Sequence, residues 1–254
     1  MSSQPLIAAF SDVHGNAIAL EAVLKDIRSF APDLILNLGD QVWGQVDPLA
    51  AAEMQAAIGA VEVRGNNDEK PLLEPGVLSE FEDRYRDWLE KRVDKVHFER
   101  LAALPVSRTV GDGSILAAHG TPTSPWELFL WQLAAGGMVP RDEHDLASET
   151  ESLDRGVELV LVGHTHQERS VTVGGRLLVN VGPVAWQRDG DPRARWTLLR
   201  HGPGGWTAEL RRVDYDWEAA AAAVLANDPV HPAEAEAHLY GLNRRPNGLV
   251  SRRR

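Results

Sequence analysis

Apolar and polar positions along the first third of the chain alternate between two patterns. Residues 6–10, Leu-Ile-Ala-Ala-Phe, form a continuous apolar run, and Leu20, Val23, Leu24 and Ile27 then recur at helical spacing between Ala17 and Phe30. The first pattern predicts a strand buried on both faces and the second an amphipathic helix. Pro32 stops the helical pattern, and 34–38 predicts a second strand. Asp47-Pro48 has the form of an N-cap followed by proline in the first turn, opening a helix that runs to about residue 58. Residues 60–64 predict a third strand, and this alternation is the signature of α/β architecture. Over 79–104 the stripe Phe81, Tyr85, Trp88, Leu89, Val93 and Val96 predicts one long amphipathic helix. A strand follows at 115–118, and then a less regular segment, 121–154, with helix expected around 126–135. Short runs at 157–162, 171–173, 177–181, 196–200 and 206–213, separated by turns such as Gly174-Gly175 and Asp189-Gly190, predict a largely antiparallel sheet. Asp216 caps a last helix through the 219–223 alanine run. With no internal repeat and no linker, residues 1–254 read as one layered domain.

Composition narrows the class. Of 254 residues 25% are charged and 43% hydrophobic, and there is no Cys, which excludes collagen-like, disordered and disulfide-stapled chains. The absence of Cys also removes thiolate chemistry and soft-metal sites. The longest apolar stretch, 128–139, is interrupted by Gln132 and two glycines and falls short of the ~20 residues a membrane span needs. Met1-Ser2-Ser3-Gln4-Pro5 lacks the basic patch of a signal peptide, so a cytoplasmic enzyme without a membrane partner is expected. The net charge is −11, and residues 241–254 hold five Arg and no acid, which leaves −16 on the remainder. Such a body repels long nucleic acid unless a local cation reverses the field, so no stable nucleic-acid partner is expected. The basic end reads as a solvated tail.

The chemistry lies directly after the strands. Residues 6–10 are followed by Asp12-Val13-His14-Gly15-Asn16, 34–38 by Gly39-Asp40 and 60–64 by Gly65-Asn66-Asn67-Asp68. Likewise 115–118 is followed by His119-Gly120, and 157–162 by Gly163-His164-Thr165-His166. Strand ends at one edge of an α/β sheet converge on a crevice, which is where ligands bind. One such residue is commonly a helix cap or a hydrogen-bonded loop residue. Five strands that all end this way point to a metal site. Asp, His and Asn together make a mixed oxygen and nitrogen shell suited to borderline divalent ions: Mn2+ foremost, with Fe, Ni and Zn as alternatives. Seven candidate ligands exceed one ion's needs, so two ions sharing a carboxylate, with Asp40 as the bridge, is the economical arrangement. Two divalent ions against Asp12 and Asp40 leave the site positive, able to hold a phosphate within an acidic body. A pair of ions supports in-line displacement at phosphorus by a metal-bridging hydroxide.

The ordered set Asp12-x-His14, Gly39-Asp40, Gly65-Asn66, His119-Gly120 and Gly163-His164-x-His166 resembles the calcineurin-like metallophosphoesterase superfamily. Asn180-Val181-Gly182-Pro183 and the segment 187–194 are similar to its bacterial YfcE-like branch, which includes relatives acting on nucleotides. The resemblance implies a four-layer αββα sandwich of two mixed β-sheets flanked by helices. It also implies one ion held by Asp12, His14, Asp40 and His166, and another held by Asp40, Asn66, His119 and His164, with Asn66 also touching the substrate phosphate. Residues 70–105 and 120–156 carry no catalytic motif and are read as a small helical cap that sets specificity.

Asn67 departs from the family pattern, in which a His at this position protonates the leaving group. An amide cannot supply that proton, and losing a general acid costs on the order of 10²–10⁴ in rate for a poor leaving group. The expected substrate is therefore a small phosphodiester or nucleotide anhydride. A phosphomonoesterase (nucleotidase or protein-phosphatase-like) and a non-catalytic protein-binding scaffold are the alternatives. Arg188 and Arg193 are candidates to bind a distal phosphate, or else solvated arginines flanking a hairpin turn. Trp43, Trp126 and Trp131 read as core before they read as nucleobase platforms. A homo-oligomer is left open.

Overall fold

The run at 6–10 is apolar throughout because the strand it forms is covered on both faces. In the computed structural model, which describes residues 5–74 and 76–242, the first elements are β1 (Leu6–Phe10), α1 (Ala17–Phe30), β2 (Leu34–Asn37), α2 (Pro48–Ile58), β3 (Val61–Glu62) and α3 (Asn66–Glu69). A 3-10 turn over Lys70–Leu72 leads to α4 (Glu80–Glu90), α5 (Lys95–Ala102), β4 (Ser107–Val110), β5 (Ile115–Ala118), β6 (Trp131–Ala134), β7 (Gly137–Pro140) and α6 (Glu143–Thr150). The chain continues through β8 (Leu159–Val162), β9 (Arg169–Val173), β10 (Arg176–Asn180), β11 (Ala194–Gly202), β12 (Gly205–Val213), α7 (Trp217–Ala226) and α8 (Glu234–Tyr240). Of the basic end expected over 241–254, residues 243–254 lie outside the described residues, as do 1–4.

Two five-stranded mixed sheets stand at the centre, ordered β12-β11-β1-β2-β3 and β4-β5-β8-β10-β9. Ile7, Ala9, Leu36 and Leu38 from the first meet Ile115, Ala117, Leu159, Leu161 and Val179 from the second in a buried layer between them. The alternate residues face outward. Ala8 and Phe10 pack with Leu20, Val23, Leu24 and Ile27 of α1 and Val224 of α7. Leu116, Ala118, Val160 and Val162 pack with Leu146 of α6. This is the expected αββα sandwich, built because each strand's period of two supplies both interfaces. A further cluster joins Tyr85, Trp88 and Leu89 of α4 and Phe98 and Leu101 of α5 to Trp43, Trp186 and Ala237. Among the described residues no helix is long and apolar enough to cross a membrane.

Several sequence expectations are corrected. The long helix over 79–104 is two helices, α4 and α5. Val93 is buried, its backbone N–H and that of Arg92 both donate to Leu89 O, and the Arg92 guanidinium reaches Asn227 O at 2.7 Å. Asp94 then stands in extended conformation before α5. Val96, placed on the apolar stripe, is 64% exposed, while Phe98 and Leu101 are buried instead. The helix expected around 126–135 is absent. Trp131–Ala134 instead pairs with Gly137–Pro140 across Ala135-Gly136, because glycine there favours a tight hairpin over a helix. The C-terminal strands are not one largely antiparallel sheet. β10 pairs parallel with β8 and antiparallel with β9, and the β11–β12 hairpin belongs to the other sheet.

β1, β2 and β3 run parallel, and so do β5, β8 and β10. Their C-terminal ends therefore gather at one edge of the sandwich. The two sheets approach closely there: a Cβ on Gly163 would stand 2.0 Å from Ser11 Oγ.

Candidate metal centre

Five of the seven motif residues leave their strands in a conformation side chains rarely adopt. Asp12, His14, Asp40, His164 and His166 all have positive φ, between 46° and 67°. Left-handed backbone at non-glycine residues is costly and clusters at functional sites. Here it turns the side chains inward immediately after β1, β2 and β8. Asp12, His14, Asp40, Asn66, His119, His164 and His166 are all at most 5% exposed.

Their polar atoms converge. Asp12 Oδ1 lies 3.3 Å from His166 Nε2, 3.8 Å from His14 Nε2 and 3.9 Å from His119 Nε2. Asp40 Oδ2 lies 3.4 Å from His119 Nε2 and 3.7 Å from His14 Nε2, so it faces histidines of both expected ion positions. Asp12, His14 and His166 form one group able to hold a metal ion, and Asp12, Asp40 and His119 form another. Asn66 Oδ1 stands 3.1 Å from His119 Nε2.

Each of the four histidines at the site has one nitrogen committed to a backbone carbonyl. Nδ1 of His14 bonds to Trp43 O at 2.9 Å, Nδ1 of His119 to Leu38 O at 2.7 Å and Nδ1 of His166 to Trp186 O at 2.8 Å. For His164 it is Nε2, at 3.2 Å from Trp126 O. Only an N–H can serve a carbonyl, so these bonds assign the tautomers and aim the opposite lone pairs at a cation. The Nε2 atoms of His14 and His166 are 3.1 Å apart. As two acceptors they need a proton or a metal ion between them. Among the described residues Asp12 Oδ1 is buried with no hydrogen-bond partner, which suits an oxygen that serves as a metal ligand. The donor set fits divalent ions.

Charge follows the same logic. Burial opposes charge on Asp12, but His166 and His119 bring its carboxyl down to about 2. Burial also opposes charge on Asp40, and His119 and His14 still hold it well below the usual carboxylate range. Burial presses His14 and His164 down to about 3, keeping both neutral and able to ligate. His119 is also buried, yet Asp40 and Asp12 raise it to about 9. The two carboxylates thus favour positive charge at His119, the charge a divalent ion would supply there.

Asp68 and Asn67 hold this arrangement from α3. Asp68 accepts from the backbone N–H of Asp40 at 2.9 Å, Gln41 at 2.8 Å and Gly65 at 2.8 Å. Burial first, and Asp40 second, raise its carboxyl to about 6. The Asn67 backbone N–H donates to Asp40 Oδ1 at 2.8 Å, and its amide donates to Asp40 Oδ2. Gly65 leaves no room beside them, since a Cβ would lie 2.2 Å from Asp40 Oδ1 and 2.3 Å from Asp40 N. Gly65→Ala is expected to displace Asp40, weaken metal affinity at least tenfold in calorimetric titration and destabilise the chain by ~1–3 kcal/mol.

The structure thus brings together all seven residues the sequence proposed as ligands, with Asn67 against Asp40. It does not bring Arg193 to them: its guanidinium is bonded to Asp191, at 2.7 Å to Oδ2. Arg188 is half-buried in the loop that joins β10 to β11, which lie in different sheets, so the hairpin turn expected at Asp189-Gly190 is absent among the described residues. Trp43 is core, stacked on Tyr85 at 5.0 Å, while Trp126 and Trp131 are half-buried. Asp68 and Trp186 also belong to the site, although the sequence pattern assigns neither a role. The aspartate three residues after Gly65 is a visible signal, but two of its three backbone partners, Asp40 and Gln41, belong to another strand's exit.

Sheets, strand ends and ligand set together define a metallophosphoesterase, a phosphoric ester hydrolase. Residues 6–200 match the calcineurin-like phosphoesterase superfamily domain, and the chain belongs to that family. It is similar to the uncharacterized protein MJ0912 of Methanocaldococcus jannaschii, 24% identical over 243 residues, covering 87% of this chain and 93% of that protein. The crystal structure of a metallophosphoesterase from Sphaerobacter thermophilus superposes with a TM-score of 0.76 at 25% identity, covering 94% of this chain and all of the other. The hypothetical protein PH1004 from Pyrococcus horikoshii has the same fold, with a TM-score of 0.75 at 14% identity over 93% of this chain and 98% of its own.

Proposed function

We propose that the chain hydrolyses a small phosphodiester or a nucleotide phosphoanhydride at a site holding two divalent ions, Mn2+ foremost, and that it does so in the cytoplasm. The observation that carries this reading is the convergence of two buried carboxylates, four carbonyl-anchored histidines and Asn66. Asp12, His14 and His166 would hold one ion, and Asn66, His119 and His164 the other. Asp40 would bridge them, its Oδ2 facing both sides. When bound, such a pair supplies Lewis acidity toward the phosphoryl oxygens and lowers the pKa of a ligated water.

The chain's own residues orient and select. Asn66, beside His119, would also touch the phosphate, and Arg188 is proposed for a distal phosphate, whereas Arg193 is held by Asp191. Asn67 keeps its amide on Asp40 and has no proton for a leaving group, which favours leaving groups that depart as stable anions. Apart from α6, which packs on the second sheet, the segments 70–105 and 120–156 are proposed as the cap that sets specificity, and Lys70 links them. Its ammonium lies 5.1 Å from the ring centre of Trp43, 5.5 Å from that of Trp126 and 2.8 Å from Glu82 Oε1. It thereby joins both segments to the residues whose carbonyls hold His14 and His164.

The test is a substrate panel in Mn2+. An aryl phosphodiester is expected to turn over faster than an alkyl phosphomonoester. Asn67→His is expected to raise the alkyl monoester rate by on the order of tenfold or more while changing the aryl diester rate little. A wild-type chain that prefers the alkyl monoester would replace this reading with a phosphomonoesterase.

A further inference from the structure

Trp186 shares the unusual backbone of the ligands without being one. Its φ is 60°, in the same left-handed region as Asp12, His14, Asp40, His164 and His166. A bulky aromatic residue pays a steric penalty there, so the surrounding structure must favour its placement. Its indole lies flat on the His14 ring, 3.8 Å between centroids with 19° between planes. It also stays nearly parallel to the His166 ring, at 6.3 Å and 20°. Its carbonyl accepts the Nδ1 hydrogen of His166 at 2.8 Å. One residue thus touches both histidines of the Asp12–His14–His166 group, one by its ring face and the other by its backbone. On the opposite flank His119 and His164 lie against each other, 5.1 Å apart and tilted by 58°, and His164 Nε2 meets the carbonyl of Trp126 at 3.2 Å.

We propose that Trp186 is a positioning residue that makes the Asp12–His14–His166 position the tighter of the two ion sites, an inference that rests on the two-ion reading above. Two effects act together. Stacking restricts rotation of the His14 ring, already held at Nδ1 by Trp43 O, so Nε2 is aimed before an ion arrives. Ligation also draws electron density out of the imidazole and makes the ring more cationic. The negative face of the indole then attracts it, as in a cation–π contact. The second effect sets an order: tryptophan gives the tightest site, phenylalanine a slightly weaker one, and an aliphatic side chain of similar bulk a much weaker one.

The experiment is Mn2+ titration of the chelator-stripped full chain by calorimetry, comparing wild type, Trp186→Phe and Trp186→Leu, with thermal melts of the stripped proteins to establish folding. Wild type is expected to show two binding steps. Trp186→Leu is expected to weaken the tighter step by about tenfold or more and leave the other within about twofold, while Trp186→Phe restores most of the loss. Uniform weakening of both steps, or equal losses in Phe and Leu, would reduce Trp186 to packing and overturn the proposal. A wild-type chain that binds no Mn2+ would overturn the two-ion reading and this inference with it. Two wild-type steps that neither substitution changes would overturn only the inference.

Discussion

Asp40→Asn is expected to lower metal-dependent turnover by about three orders of magnitude, with the folded structure retained. Asp40 Oδ2 is the carboxylate oxygen that faces both His14 Nε2 and His119 Nε2, at 3.7 and 3.4 Å. An amide there presents a neutral oxygen or an N–H, and the bridging charge is lost. Several kcal/mol of transition-state stabilisation from the ions correspond to roughly a thousandfold in rate. The fold should tolerate the change. Asp40 is one of three mutually repelling buried carboxylates with Asp12 and Asp68, and an Asn oxygen can still accept the Asn67 backbone N–H. The check is steady-state hydrolysis of an aryl phosphodiester across a Mn2+ titration, with a thermal melt of the metal-free variant. An Asp40→Asn chain with a rate within tenfold of wild type would remove Asp40 from the bridge.

The second large effect is on stability. Asp68→Ala strips the acceptor from three buried backbone N–H groups at once, those of Asp40, Gln41 and Gly65. Each orphaned group costs about 1–3 kcal/mol, so a loss of about 4 kcal/mol is expected, or roughly 10 °C in melting temperature for a chain of this size. Asp68→Asn retains one acceptor oxygen but turns an NH2 toward other donors, and should lose about half as much. Scanning calorimetry on chelator-treated protein isolates this effect from metal binding. A loss below about 1 kcal/mol for Asp68→Ala would mean that water or rearrangement satisfies those groups.

The ligand set was legible in the sequence because each ligand follows an apolar strand directly, and parallel strands bring their C-terminal ends to one edge. Asp12, Asp40, His119 and His164 could be proposed from that rule alone. The supports were harder to read because they depend on pairings between distant segments. Asp68 bonds the exit of β2 across 27 and 28 residues, and Trp186 reaches His14 only when β10's exit loop folds back over β1. The break between α4 and α5 was hidden for a related reason. The apolar stripe is continuous, and just past the end of α4 Arg92 bonds to Asn227, a residue 135 positions away. The β6–β7 hairpin, by contrast, left a local signal in Gly136-Gly137, which the surrounding apolar residues obscured.

The central claim is that the strand ends form a two-ion site. The most direct measurement is anomalous diffraction from crystals of the chain soaked in Mn2+. Two strong peaks about 3.5–4 Å apart, one among Asp12, His14 and His166 and the other among Asn66, His119 and His164, with Asp40 between them, are the predicted result. A single peak, or peaks away from these residues, would contradict it.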